Sequence, residues 1–334
     1  MRYFGKTGMK IKRVGFGGIP IQRISQEDTN KVIDELEKCG VNFIDTARGY
    51  TVSEEYLGNA LKGRREKFYI ATKSMSRDYE SMKRDIEISL KNLQTDYIDL
   101  YQMHNVKPAE YDTLFSEDKA YRALLEAKEQ GKIKHIGITS HGLETVEKAV
   151  ESDKFETIQF PYNIVENQAD EVFKRAYEKG VGTIVMKPLA GGAIDDGTLA
   201  MKYLLSREYI DVAIPGMDSP QQVIENTDVL QNYELTEEDN KKIAKIKSEL
   251  GTNFCRRCEY CLPCPKGINI PQNFLLEGYY NRYNLKDWAV DRYRGLAENE
   301  RASNCIECGA CQKKCPYELP IIDMLKKVVD TLEK

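Results

Sequence analysis

The sequence predicts an α/β protein, a (β/α)8 barrel over residues 1–250, followed by a small helical domain built around cysteines over 251–334. Three observations predict it. Short apolar runs alternate with helically spaced segments, and counting from Val14 gives eight strand–helix units in about 240 residues, close to the ~250 typical of such a barrel. No G-x-G-x-x-G follows the first strand, where Val14-Gly15-Phe16-Gly17-Gly18 lacks the spacing, and this disfavours an open doubly wound sheet. Eight of the nine cysteines fall after residue 254, in two tight runs.

Residues 1–12 read as a hairpin with Gly5-Lys6-Thr7-Gly8 as its turn. The strand at Val14–Gly18 precedes a helix from Asp28 to Cys39, with Val32, Ile33 and Leu36 on one face and Gly40 as its stop. The unit then recurs. Strands at Phe43–Asp45, Phe68–Thr72, Ile98–Met103 and Ile133–Ile138 precede helices at Ser53–Leu61, Tyr79–Leu93, Tyr121–Gln130 and Leu143–Glu151. Strands at Thr157–Phe160, Thr183–Met186 and Val212–Ile214 precede helices at Gln168–Lys179, Leu199–Ser206 and Gln221–Leu230. A helix from Thr236 to Leu250 closes the barrel segment, and Asn273 to Asn299 reads as helix between the cysteine runs.

Composition bounds the function. The chain has 334 residues, 41% hydrophobic and 31% charged, with a net charge of −4. That balance gives no global nucleic-acid footprint. No run approaches the ~18 apolar residues of a membrane span. The first residues carry no apolar signal region, so the expectation is a cytoplasmic protein. Cysteines spaced two or three apart in such a chain point to metal rather than disulfides. Cys39 stands alone and reads as a small buried hydrophobe.

A barrel collects the carboxyl ends of its strands on one face, where its chemistry sits. In order these ends are Gly17-Gly18, Asp45, Lys73, His104, Thr139-Ser140, Gln159, Met186-Lys187 and Pro215-Gly216. Tyr50 follows Asp45 in a glycine-marked loop. A tyrosine with its ordinary pKa near 10 is a poor acid–base catalyst at neutral pH. A neighbouring ammonium favours the phenolate. Lys73 can supply that charge, Asp45 can hold Lys73, and His104 can orient a carbonyl oxygen. Such a site protonates an alkoxide as it forms, and the hydride must come from a cofactor.

The residues Asp45-Thr46-Ala47-x-x-Tyr50, Ser53-Glu54-x-x-Leu57-Gly58, Ala71-Thr72-Lys73 and His104 resemble the aldo-keto reductase superfamily, in its order, across residues 1 to about 250. The resemblance implies a TIM barrel that reduces a small-molecule carbonyl with NADP or NAD. Tyr50 would be the general acid, Asp45 and Lys73 its pKa-lowering pair, and His104 the orienting residue. It also implies a cofactor path along Gly17, Gly18, Asp45, Thr139, Ser140, Gln159, Met186, Lys187, Pro188, Leu189, Gly191, Gly216, Gln222, Glu225 and Asn226. Four positions depart from the family pattern. Ser140 replaces an asparagine, with His141 next to it, and Met186 replaces a stacking tyrosine. Gly216 and Gln222 stand where many members grip the NADP 2′-phosphate with two cations, so the lean to NADP over NAD comes from the family alone.

Two cysteine runs follow: Cys255-x2-Cys258-x2-Cys261-x2-Cys264-Pro265, and Cys305-x2-Cys308-x2-Cys311-x3-Cys315-Pro316. C-x2-C-x2-C wraps three corners of a [4Fe-4S] cube. Structural zinc and a single cluster stay open as alternatives. The second run resembles bacterial ferredoxins, whose two clusters each take a fourth thiolate from the other run. That implies Cys255, Cys258, Cys261 and Cys315 on one cluster, and Cys305, Cys308, Cys311 and Cys264 on the other. With Gly267-Ile268-Asn269-Ile270-Pro271 after the first run, the whole segment resembles the ferredoxin-type appendage of iron–sulfur aldo-keto reductases.

The leading expectation is therefore an NAD(P)H-dependent carbonyl reductase. Hydride carries two electrons and a cluster takes one, so coupling them needs a relay. No flavin motif is found, though a flavin in the barrel mouth is compatible with the fold. The second expectation is a ferredoxin-linked oxidoreductase exchanging electrons with a carrier protein, which Arg256, Arg257, Lys313 and Lys314 near the cysteines would suit if it is acidic. The third is a non-enzymatic redox or nucleotide sensor, against which the intact Asp45, Tyr50, Lys73 and His104 argue.

Overall fold

The computed structural model describes residues 1–250, 254–257, 260–282, 284–315 and 317–334. Contacts divide these into two units, one of Met1–Pro188 with Asp196–Leu235, the other of Leu189–Asp195 with Thr236–Lys334. The expectation ended the barrel at residue 250; the division falls earlier and puts the last long helix of that segment with the second unit.

The first unit opens with the expected hairpin, β1 (Arg2–Tyr3) antiparallel to β2 (Lys10–Ile11). Eight parallel strands follow: β3 (Phe16–Gly17), β4 (Phe43–Asp45), β5 (Tyr69–Ser74), β6 (Ile98–Met103), β7 (Ile133–Thr139), β8 (Thr157–Pro161), β9 (Gly182–Met186) and β10 (Val212–Ala213). They pair in sequence order. The sheet closes on itself through Gly15 N–H donating to Ala213 O (2.8 Å) and Gly17 N–H to Pro215 O (2.9 Å). Closure removes the sheet edges and fixes which residues look inward. Phe4, Met9 and Ile11 of the hairpin segment pack with Phe43, Leu100, Ile184 and Val212 in one apolar cluster.

Helices alternate with the strands: α1 (Gln26–Lys38), α2 (Ser53–Ala60), α3 (Tyr79–Leu93), the short α4 (Pro108–Tyr111), α5 (Ala120–Glu129), α6 (Leu143–Glu151), α7 (Asp170–Lys179), α8 (Gly197–Leu205) and α9 (Pro220–Asp228). Their limits have local causes. Ser25 caps α1 by accepting from Asp28 N–H, while Glu27 and Asp28 lie in its first turn and Lys38 in its last, matching the helix dipole. Asp78 caps α3 in the same way. Gly180, at φ 70°, ends α7 in the left-handed region that glycine takes without penalty.

In the second unit α10 (Glu237–Leu250) is followed by α11 (Ile270–Asn281), α12 (Lys286–Arg294), α13 (Ala310–Lys314) and α14 (Ile321–Leu332). The single helix expected between the cysteine runs is thus two. Asn284 takes φ 52°, and Leu285 N–H turns back to Tyr279 O at 3.0 Å. Asparagine is one of the few residues that tolerates this conformation. Ile268, Phe274, Leu276, Tyr293, Leu325 and Val328 form the core, together with Cys261 and Cys311. Buried Asn273 donates to Asn269 O and Glu300 O, both at 2.8 Å. Arg282 Nε donates to Gly191 O at 3.1 Å within the same unit. Among the described residues no helix is long and apolar enough to cross a membrane.

Candidate active site

Parallel register sets the site. Asp45 pairs with Ala71, Lys73 with Gln102, and Thr139 with Gln159, so the polar strand ends of β4, β5, β6 and β8 converge. Lys73 Nζ donates to Asp45 Oδ1 at 2.5 Å and to Thr46 O at 2.7 Å. Two of its three donors are therefore engaged. The same nitrogen lies 5.0 Å from the centroid of the Tyr50 ring. The Tyr50 and His104 rings meet edge to face, with centroids 6.0 Å apart. Tyr50 and His104 are half-buried, while Asp45 and Lys73 are buried. The structure brings these four residues together.

Burial drives the electrostatics. Desolvation pushes the Lys73 ammonium down and the Asp45 carboxyl up from their ordinary ranges, and their mutual attraction opposes both shifts. His104 is held well below the usual imidazole range, first by desolvation and then by the charges of Lys73 and Arg77. It is neutral at pH 7 and able to donate one N–H. Its Nδ1 is buried with no hydrogen-bond partner among the described residues.

Gln102 was not foreseen in the site. Its Nε2 donates to Asp45 Oδ2 (3.2 Å) and to Gln159 Oε1 (2.9 Å), joining two predicted site residues. The available signal was alternation: Gln102 lies two residues before His104 on a fully buried strand, hence on the same side. Glu54 of the matched motif has a structural role instead. Buried, it accepts from Thr72 Oγ1 and Ser89 Oγ, both at 2.7 Å, tying α2 to β5 and α3. A Cβ on Gly58 would come within 2.2 Å of Asn92 O, so that motif glycine serves the close approach of α2 to α3.

The residues expected along a cofactor fall into three groups. Gly17, Gly18 and Gly216 are packed tightly, a Cβ on each meeting Ile214 O, Asp45 O and Pro20 Cγ at 2.8, 2.9 and 2.8 Å. Thr139 and Ser140 are buried with their hydroxyls used by the scaffold: Asn105 N–H donates to Thr139 Oγ1 (2.7 Å), and Ser140 Oγ donates to Val106 O (2.6 Å). Gln159 is buried beside Asp45. Met186, the last residue of β9, and Lys187 after it are half-buried, and Pro188 is buried. Lys187 (φ 57°), Ala190 (φ 50°), Gly191 (φ 67°) and Gly192 (φ 77°) give the following loop repeated left-handed turns, a backbone form that can present N–H groups to an anion. Leu189 and Gly191 belong to the second unit by contacts.

The third group sits at α9. Ser219 caps the helix, and Asp218 N–H donates to Gln222 Oε1 at 2.8 Å. Asn226 Nδ2 donates to Gln222 O at 2.8 Å, and Glu225 is exposed. A cation that sequence reasoning missed stands here: Arg23 Nε lies 2.7 Å from Asp218 Oδ2.

In the second unit the cysteines wall two separate cavities. One is lined by Cys255, Cys261 and Cys315 with Ile270, Phe274 and Leu319. The other is lined by Cys264, Cys305, Cys308 and Cys311 with Ile268 and Leu325. Cys258 lies outside the described residues. Each cavity takes a cysteine from the opposite run, while among the described residues no three histidine, cysteine or acidic side chains are grouped so as to hold a metal ion. Thiols on apolar walls fit the donor set of an iron–sulfur cluster.

Comparison with known proteins bears on the family and the fold. The profile described as "Aldo/keto reductase family" matches residues 13–198, and that described as "4Fe-4S dicluster domain" matches residues 254–320. L-galactose dehydrogenase of Arabidopsis thaliana is 26% identical over 301 residues, covering 75% of this chain and 94% of that protein. Methylglyoxal reductase DkgA of Escherichia coli is 29% identical over 251 residues, covering 69% and 88%. Among solved structures, the holo form of aldo-keto reductase AKR11C1 from Bacillus halodurans superposes with a TM-score of 0.65 at 26% identity, covering 73% of this chain and 95% of that one.

Proposed function

The chain belongs to the aldo/keto reductase family and carries a 4Fe-4S dicluster domain, and from that membership we propose that it reduces a carbonyl compound with hydride from NADPH or NADH, Tyr50 acting as general acid. The observation that carries this reading is the buried Asp45–Lys73 pair set against the Tyr50 ring, with His104 alongside. A carbonyl oxygen placed between Tyr50 and His104 receives a hydrogen bond from the neutral imidazole, which orients it. As charge develops on that oxygen, the phenol hydroxyl gives up its proton to it, and the Lys73 ammonium stabilises the phenolate left behind. Asp45 and Thr46 O hold the ammonium in position.

A reduced nicotinamide supplies hydride when bound, chemistry that no side chain offers. Gln159 and Met186 would hold its ring end. Lys187 and Pro188 would lie toward the phosphates, and Gly216, Gln222, Glu225 and Asn226 would hold the adenosine. Residues 1–250 are read as the reductase and 251–334 as the domain for two [4Fe-4S] clusters, in the cysteine sets given above.

The test follows NAD(P)H oxidation with a panel of carbonyls that includes methylglyoxal and aldose sugars. Tyr50→Phe is expected to lower kcat by ~10² or more while cofactor affinity is kept. Undiminished turnover in that variant would sink the assignment of the acid.

The two cysteine-lined cavities favour a second reading, in which the chain also exchanges electrons with a carrier protein. Anaerobic protein titrated with NADPH, followed by electron paramagnetic resonance, separates the two. Reduction of the clusters supports electron passage between nicotinamide and the cysteine domain, and calls for a flavin or other relay. Clusters that stay oxidised while carbonyl turnover proceeds lie outside the catalytic path.

A further inference from the structure

We propose that the site formed by Cys264, Cys305, Cys308 and Cys311 is the point of electron exchange with the outside, and that the surface around Cys308 docks an acidic one-electron carrier protein. The proposal rests on the reading that the two cavities hold iron–sulfur clusters.

The second site reaches the surface, while Cys258 of the other set lies outside the described residues. Among the described cysteines of both sets only Cys308 is exposed; Cys261 and Cys311 are buried, and Cys255, Cys264, Cys305 and Cys315 are intermediate. Ile306, two residues before Cys308, is 57% exposed and lines the same cavity with Pro265, Lys266 and Gly309. By contrast, the Arg256 guanidinium lies 3.9 Å over the Tyr317 ring, and both residues wall the first cavity. Electron tunnelling weakens steeply with distance. A cluster with a ligand at the surface is therefore the better contact for a partner.

A single exposed isoleucine is ordinary on a protein surface. Here it lines one cavity with an exposed ligand and a lysine. Lys266 is exposed in the cavity wall, and Lys313 and Lys314 are exposed at the end of α13, the helix that follows Gly309. The same segments also carry acids: Glu307, which Lys326 pairs at 3.0 Å, and the exposed Glu318 and Asp323. An apolar centre with a mainly basic surround suits a partner with an acidic face, because complementary fields speed encounter and set orientation. Each transfer moves one electron from the reduced carrier to the cluster. No bond forms or breaks, and no proton moves.

The test uses the full-length, anaerobically purified protein. Iron and sulfide content and the resonance spectrum of the fully reduced state come first. A shortfall from two cubes' worth of iron at this stage overturns the cluster reading, and the docking proposal with it. Pre-reduced acidic [2Fe-2S] ferredoxin is then mixed in and the reaction followed by stopped-flow absorbance and freeze-quench resonance. The expected rate falls steeply with ionic strength. It drops about tenfold or more in Ile306→Glu and in the triple variant Lys266→Glu/Lys313→Glu/Lys314→Glu, with iron content unchanged. The resonance that rises first is the one that Cys308→Ser shifts. Rates that ignore salt and both variants, no reduction by the carrier, or first reduction of the other cluster would each overturn the proposal.

Discussion

Lys73 Nζ lies 2.5 Å from Asp45 Oδ1, with the two side chains only 1% and 3% exposed. A lone charge of either sign at that depth is costly, so each residue requires the other. The pair presents a fixed ammonium to Tyr50 and leaves the scaffold sensitive to loss of one partner.

Asp45→Asn or Lys73→Met alone should destabilise the protein by about 3–5 kcal/mol, because each leaves the other charge buried and unpaired. The double variant should regain much of that stability without regaining turnover. Urea unfolding of the three variants, set beside their kcat values, checks both halves. Destabilisation of the double variant equal to the sum of the two single ones would show that the pair is not coupled.

His104 sets a pH dependence. Its folded-state pKa lies well below the ordinary value, so on acidification the unfolded chain takes up the proton first. Stability should be complete above the unfolded imidazole pKa of ~6.5. Below that it should fall with pH by up to ~1.4 kcal/mol per unit until the folded pKa is reached. His104→Asn should flatten this part of the profile. Unfolding free energies at pH 7 and pH 5 for both proteins measure it, and parallel profiles would remove His104 as the cause.

Asp218 bears on the choice between NADPH and NADH. Its carboxylate pairs with Arg23 at 2.7 Å, beside Gln222, and would repel a 2′-phosphate there. The pair is partly exposed, so the effect is modest. Asp218→Asn should improve NADPH affinity relative to NADH by about two- to fivefold, corresponding to ~0.5–1 kcal/mol. Fluorescence titration with each cofactor gives the ratio, and an unchanged ratio would place the 2′-phosphate elsewhere.

The crossed cysteine sets give a test by iron counting. Cys264→Ala and Cys305→Ala should each lose the same cluster, so that the double variant loses no more iron than either single one. Cys264→Ala combined with Cys255→Ala should lose both. If instead Cys264 and Cys255 behave as one site, each run binds its own cluster.

Much of this was legible because the fold is periodic. Strand and helix spacings repeat, and barrels place chemistry at strand ends, so Asp45, Lys73 and His104 could be picked out one strand at a time. Gln102 was missed because it lies within a strand rather than at its end. Only the register that sets it opposite Lys73 shows that it joins Asp45 to Gln159. Helix α14 was not foreseen, although Ile321, Leu325, Val328 and Leu332 recur on one face and are buried. The break between α11 and α12 had none, because it depends on the backbone angle of Asn284 rather than on apolar spacing.

The sequence by itself determined the barrel, the identity of its polar strand ends and the two cysteine runs, since periodicity and spacing are local properties of a chain. Tertiary structure alone decided the rest. It turned the hydroxyls of Thr139 and Ser140 into the scaffold, filled the space around Gly17, Gly18 and Gly216, and brought Arg23 to Asp218. It also gathered cysteines of opposite runs around each cavity. Burial and proximity between residues distant in sequence exist only once the chain has closed on itself, and they govern which polar groups remain available for chemistry.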